Sequence, residues 1–408
     1  MPNARIVNRK AALIKTENSR NEENVSWRTW LAVVALGVSS FAIVTTELAP
    51  IGLLSPLAAE FGQTEGKAGL IVTAYAWVAA LAALLSATFL GRFPRKPLLV
   101  GLMLVLTISS TIAAFGSEFS TLMGARMVGA LAHGAFWAMI GSIGAQLVPS
   151  RKVGLATSII FGGVSVASVL GVPLANLLTQ LDGWRTAFMV IAALSLAATL
   201  AIALTVPRLP VSTTIGVDAL VDVLRNRTFR RIYLATGCAI TAHFAAFTFI
   251  EPFLSNALNT RVNLISTLLL VFGVAGVVGN LISGKLIDRY LKPLVLISLT
   301  LMAVSVLAIG CLPADSSAFV VGMLLLGWGV GVAIVFVGLQ TWILRLAGQA
   351  AMPASAIYVA IFNAAIGAGA LLGGIVLSMT SLSGLMVIAA AAIAASLVPV
   401  MLIKPPTP

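Results

Sequence analysis

The chain has 408 residues, of which 59% are apolar and only 9% charged. An ordinary soluble domain carries about 25% charged residues, and no globular core of this length could hide so much apolar surface. These figures exclude a soluble enzyme, a nucleic-acid binder and a disulfide-stapled secreted scaffold, and they place the chain in a bilayer. The net charge of +12 then reads first as membrane topology.

Residues 1–28 mix basic and acidic side chains (Arg5, Arg9, Lys10 and Lys15 beside Glu17, Glu22 and Glu23) with no short apolar run. They read as a solvated cytoplasmic tail and not as a cleavable signal. A bilayer core takes about 20 apolar helical residues, and twelve such runs follow. Their expected limits are 29–54, 68–90, 97–116, 122–148, 153–178 and 184–206, then 230–254, 264–287, 293–312, 318–346, 354–378 and 384–403. The stretch 207–229 interrupts them with Asp218, Asp222, Arg225 and Arg227 among Val and Leu at helical spacing. It reads as a surface helix or linker on the cytoplasmic side, joining a bundle over 29–206 to a second over 230–403. Residues 404–408 form a cytoplasmic end.

The basic residues set the orientation. With the amino terminus inside, only Lys67, Arg185 and Arg261 fall on the outer side and Arg126 falls within a span; the rest of the 25 Lys and Arg lie on the cytoplasmic side. That asymmetry predicts twelve spans with both termini cytoplasmic. Cys238 and Cys311 sit inside apolar runs and read as small buried hydrophobes.

The two halves repeat. Gly284, Leu286, Asp288, Arg289 and Lys292 follow the eighth run, and Gly91, Arg92, Arg95 and Lys96 follow the second, with Arg289 standing 197 residues after Arg92. Such a repeat suits a transporter whose site lies between its halves near the midplane.

This loop resembles the signature of the major facilitator superfamily, except that Gly91 stands where the signature has its acid. Further motifs sharpen the resemblance. These are Thr45, Thr46, Glu47, Pro50 and Gly52 in the first span, Tyr75 and Trp77 in the second, and Arg126, Gly129, His133, Gly134 and Trp137 in the fourth. Gly171 and Pro173 follow in the fifth, Trp184 and Arg185 opening the sixth, and His243, Glu251 and Pro252 in the seventh. Together they resemble the bacterial sugar efflux transporters of the arabinose efflux permease type, in the drug:proton antiporter branch. The resemblance implies an all-α membrane protein of 12 transmembrane helices in two pseudo-symmetric six-helix halves. It also implies an inner-membrane location and a cavity lined by the first, fourth, seventh and tenth spans.

Ionisable groups inside a span are functional candidates by default. Glu47, Arg126, His133, His243 and Glu251 qualify. Glu47 lies about 18 residues, roughly 27 Å, into its helix, at a depth similar to Arg126. Arg126, His133 and Trp137 fall within about 40° of one another on the fourth helix, so they are expected to face the cavity as one stripe. Glu47 is then a proton-exchange candidate tuned by Arg126, or else half of a fixed ion pair with it. Glu251 reads either as a second proton-coupling candidate or as an exposed or capping group. His133, Trp137, His243, Tyr75, Trp77 and Asn363 are expected to form a substrate pocket, with Trp328 and Trp342 as packing and Asn280 and Gln340 as interhelical glue. Asp288, Arg289 and Arg92 are candidates for a conformational latch, and Gly171 and Pro173 for bending or close packing. Gly162, Gly163, Gly367, Gly369, Gly373 and Gly374 read as close helix packing.

The function expected is proton-coupled efflux of sugars (pentose- or galactoside-like), and otherwise of drugs or nucleosides, by a monomer. The expected partners are the substrate, protons and lipid. No nucleic acid, cofactor, metal or Walker-type nucleotide loop is expected, and no enzyme activity.

Overall fold

The computed structural model describes residues 25–90, 93–149, 152–209, 216–347 and 350–403. The expected cytoplasmic tail, 1–28, lies mostly outside them, as does the 404–408 end.

Each apolar run becomes a helix, and several run longer than the sequence limits. The first span opens at Trp27, where the Ser26 hydroxyl accepts the Thr29 amide at 3.2 Å. It runs to Leu48 and continues through a 3-10 turn, Ala49–Leu53, into Leu54–Glu60. Pro50 explains the change of winding, since it has no N–H to give an α-helical bond. The seventh span shows the same device. Arg227–Phe247 is capped by Asn226, whose side-chain oxygen accepts the Thr228 amide at 2.9 Å, and the chain bends by 42° before Ile250–Ala257, beside Pro252. The eighth and ninth spans form one continuous run, Val262–Gly310, broken only at Tyr290, whose φ of −128° and ψ of 33° leave the helical region. The linker forms the amphipathic helix Val217–Arg225, with Val223 buried against the second half.

Among the described residues, ten helices are long and apolar enough to cross a membrane, or eleven with the bent pair Arg227–Phe247 and Ile250–Ala257 counted as one. The remaining expected span is Phe119–Leu147, which carries Arg126 and His133.

The halves repeat their packing. The fourth span presses on the second at Gly134, where a Cβ would meet the Ala79 carbonyl oxygen, and the tenth presses on the eighth at Gly329, where it would meet the Phe272 carbonyl oxygen. Ser109 on the third span fills the notch at Gly129 on the fourth, and Ser305 on the ninth fills that at Gly327 on the tenth. Backbones this close let dispersion and weak hydrogen bonds bind helices in a medium that offers no hydrophobic drive between them. Gly163 and Gly369 do the same for the first–fifth and seventh–eleventh pairs.

Cys238 and Cys311 correct an expectation: both are exposed, not buried. Apolar character in a span does not imply a protein-packed position, because lipid accepts it equally well. Trp27, 67% exposed, stands at the head of the first span, where an interfacial indole belongs, whereas Trp184 is buried against Phe61 and Phe188.

Candidate functional site

Between the halves lies a cavity of about 420 Å³, a size usual for small-molecule sites. Its wall includes Val44, Glu47 and Leu48 of the first span, His133 and Trp137 of the fourth, and Phe161, Ser165 and Ser168 of the fifth. The second half adds His243, Phe244 and Phe247, then Phe272 and Asn280, then Phe336 and Gln340, then Tyr358, Phe362 and Asn363. The fifth, eighth and eleventh spans thus line it as well as the first, fourth, seventh and tenth.

The cavity extends from the level of Glu47 and Ile366 toward the end of the bundle that carries the termini. The opposite end is closed by contacts between halves, braced by bonds within the first half. The Ser55 amide donates to Glu251 Oε2 at 2.9 Å. The Ser55 hydroxyl and the Asn256 side-chain amide both donate to Glu65 Oε1, at 3.3 and 2.6 Å. The Ser266 hydroxyl donates to Asn176 Oδ1 at 2.7 Å, and Asn176 Nδ2 donates to the Gly52 carbonyl at 2.9 Å. Leu54, Ala58, Ala68, Phe249 and Leu385 seal the same end with an apolar plug. A Cβ on Gly273 would lie 2.5 Å from Val169 Cα, so the eighth and fifth spans touch backbone to backbone.

Glu47 and His133 meet at the cavity wall, with Oε2 and Nε2 3.7 Å apart. His133 also stands edge-on to Tyr75 and Trp137. Glu47 Oε1 is buried with no hydrogen-bond partner among the described residues.

Arg126 is placed differently from the expectation. It does not line the cavity and makes no ion pair with Glu47. Its Nη1 donates to the Thr46 carbonyl at 2.7 Å, and its guanidinium lies 4.1 Å from the Tyr75 ring centroid. Carbonyl and ring face together satisfy a buried cation in part, which takes it out of the cavity stripe.

Two further expectations are corrected, and a third is narrowed to one of its readings. Tyr75 is buried under Arg126, away from the cavity. Trp77 crosses to the other half, where its indole N–H donates to the Ala364 carbonyl at 3.1 Å and its ring fills the notch at Gly367. Glu251 is neither exposed nor in the cavity. It is 4% exposed and accepts the second amide of the helix that begins at Leu54, the capping role among its readings.

His243 is enclosed by Phe244, Phe247, Phe272 and Phe336. The Trp328 indole N–H donates to His243 Nδ1 at 3.0 Å. An indole nitrogen can only donate, so Nδ1 is an acceptor and the imidazole proton sits on Nε2. Trp328, expected as packing, therefore sets the tautomer of a cavity residue. Asn280 and Gln340, expected as glue, line the cavity. Spacing within an all-apolar span does not tell an amide facing the cavity from one that binds a neighbouring helix. Asn363 lines the cavity as expected, with Nδ2 turned to the Val359 carbonyl at 2.9 Å and Oδ1 buried without a partner among the described residues.

The model of the Major Facilitator Superfamily matches residues 31–250 and 232–408. The chain belongs to that superfamily. As a facilitator it is a multi-pass membrane protein of a transporter family, and two solved facilitators share its fold. The human organic anion transporter MFSD10 (TETRAN) superposes with a TM-score of 0.67 at 17% identity, over 91% of this chain and 99% of that one. A bacterial homologue of the human lysosomal transporter Spinster, solved inward-facing and unoccupied, gives 0.67 at 15% identity, over 93% and 96%.

Of this facilitator's loop residues, Arg92 and the Asp288 side chain lie outside the described residues. Arg289 stacks its guanidinium 5.3 Å from the Tyr290 ring centroid, at the break between the eighth and ninth spans. In the fifth span Gly171 rests at ordinary contact distance on Thr45, and the helix runs on through Pro173.

Proposed function

We propose that this facilitator is a proton-coupled exporter working by alternating access, with bundles 29–206 and 230–403 rocking about the cavity between them. The observation that carries the reading is Glu47. It is an acid in the wall of a cavity between the two halves, beside His133 and with one oxygen unpartnered. An ionisable group so placed can exchange a proton and meet the substrate in turn, which makes proton and substrate competitors. With the termini in the cytoplasm, as the basic residues predict, the cavity approaches the cytoplasmic side and the closed end is the outer one. That is the state that collects cargo for export.

The preferred substrate is a sugar of pentose or galactoside size. Glu47, Asn280, Gln340 and Asn363 offer polar partners for hydroxyls, His243 offers Nε2–H, and the Phe and Trp faces suit the apolar side of a sugar ring. A second reading is a nucleoside or drug-like molecule, favoured by the number of rings in the wall: Trp137, Phe161, Phe244, Phe247, Phe272, Phe336 and Phe362. Everted vesicles with an imposed pH gradient, offered a pentose, a galactoside, a nucleoside and a lipophilic cation, separate the two. Gradient-driven accumulation of the sugars alone supports the first reading, and of the nucleoside or cation alone the second. No response to the gradient by any of them rejects proton coupling.

A further inference from the structure

The first turn of the seventh span gathers Arg227, Arg230 and Arg231 around a shallow groove of about 390 Å³ that also includes Leu234. Residues 227, 231, 234 and 238 share one helix face by their spacing. Leu234 is 59% exposed and Cys238 is exposed, so no other helix among the described residues covers this face below the arginines. In a membrane it borders acyl chains.

The cations here divide into two sets. Arg231 Nη1 donates to the Leu402 carbonyl at 3.4 Å, and Lys292 Nζ donates to the Met401 and Ile403 carbonyls at 2.7 Å each. Those two hold the last carbonyls of the twelfth span. Arg227 and Arg230 are exposed and have no hydrogen-bond or ion-pair partner among the described residues. The nearest acids along the chain, Asp218 and Asp222 on the linker helix, form no ion pair with them either. The result is a pair of uncompensated guanidiniums at the water–hydrocarbon boundary, directly above an uncovered apolar face.

We propose that this surface binds the headgroup of an anionic phospholipid in the leaflet on the side of the termini. A phosphodiester supplies the oxygens that two guanidinium forks lack, and basic pockets at helix ends on that side suit such headgroups. The apolar part of the ligand is equally provided for: its chains lie along Leu234 and Cys238. A free phosphate would use only the upper half of the site. The site grips the end of the helix that carries His243 into the cavity, 16 residues or roughly 24 Å further along. Bound lipid therefore bears on the helix that moves during transport.

The test uses the full-length chain in nanodiscs, with phosphatidylglycerol diluted into phosphatidylcholine and retained lipid counted by native mass spectrometry. The double variant Arg227→Gln/Arg230→Gln is expected to bind phosphatidylglycerol about thirtyfold more weakly, the ratio two interfacial arginines supply. Arg225→Gln, on the linker helix, should bind as wild type. Arg227→Lys/Arg230→Lys, which keeps the charge without the fork, should fall between them and guards against a folding defect in the Gln variant. Inorganic phosphate alone should not displace the lipid. Equal retention by wild type and the Gln variant would overturn the proposal. So would displacement by inorganic phosphate, which would mark a plain anion site.

Discussion

The Trp328 indole donates its single proton to Nδ1 of His243 at 3.0 Å, and both side chains are buried. His243 consequently enters the cavity wall as a fixed hydrogen-bond donor through Nε2. While the indole bond stands, Nδ1 cannot take a second proton. Trp328→Phe keeps an aromatic ring in the wall and removes this donor with the pyrrole part of the indole. The variant is expected to bind substrate about fivefold to tenfold more weakly, the scale of one buried hydrogen bond. Substrate KM checks this, and His243→Gln, which removes the acceptor of the indole proton, should weaken binding as well.

Arg126 holds the fourth span to the first through the Thr46 carbonyl and to the second through the Tyr75 ring. Arg126→Ala leaves that carbonyl buried without its donor, a loss of about 3 kcal/mol for a charged partner. The expected outcome is a lower thermal midpoint in detergent. Arg126→Lys should recover only part of it, because an ammonium cannot lie flat on the Tyr75 ring while reaching Thr46.

Glu251 binds the Ser55 amide across the closed end. Glu251→Gln retains a carbonyl acceptor and should keep that end shut, whereas Glu251→Leu removes the acceptor. Spin labels on Gln63 and Thr380, at the loop tips of the two halves, should report a longer distance in the Leu variant alone. An unchanged distance would assign the closure to the apolar plug around Phe249.

Gly273 lies against Val169 so closely that any Cβ strikes backbone. Gly273→Ala should therefore prevent full closure of the end opposite the termini. It should populate the opposite opening and lower substrate affinity from the side of the termini, read by equilibrium binding in vesicles of each orientation.

The fold was legible because span length and charged breaks are enforced by the hydrocarbon itself. The limits drifted where capping and proline acted, as in the first span, which runs on past Pro50 to Glu60. The site was legible only in part. Glu47, His133, Trp137, His243 and Asn363 line the cavity, but Tyr75, Trp77, Arg126 and Glu251 do not. The physical reason is that a span apolar on every side carries no polarity contrast to mark which face meets lipid, a neighbour or the cavity. The 40° stripe on the fourth helix was sound as spacing. It failed at Arg126 because a long guanidinium can turn away from its own helix face to reach Thr46.

The central claim is that Glu47 carries the coupling proton. The most direct measurement is flux in proteoliposomes under an imposed pH gradient, comparing wild type with Glu47→Gln. The account predicts gradient-driven accumulation in wild type. In the variant it predicts substrate exchange at equilibrium with no response to the gradient. A Glu47→Gln protein that still accumulates substrate against its gradient would contradict it.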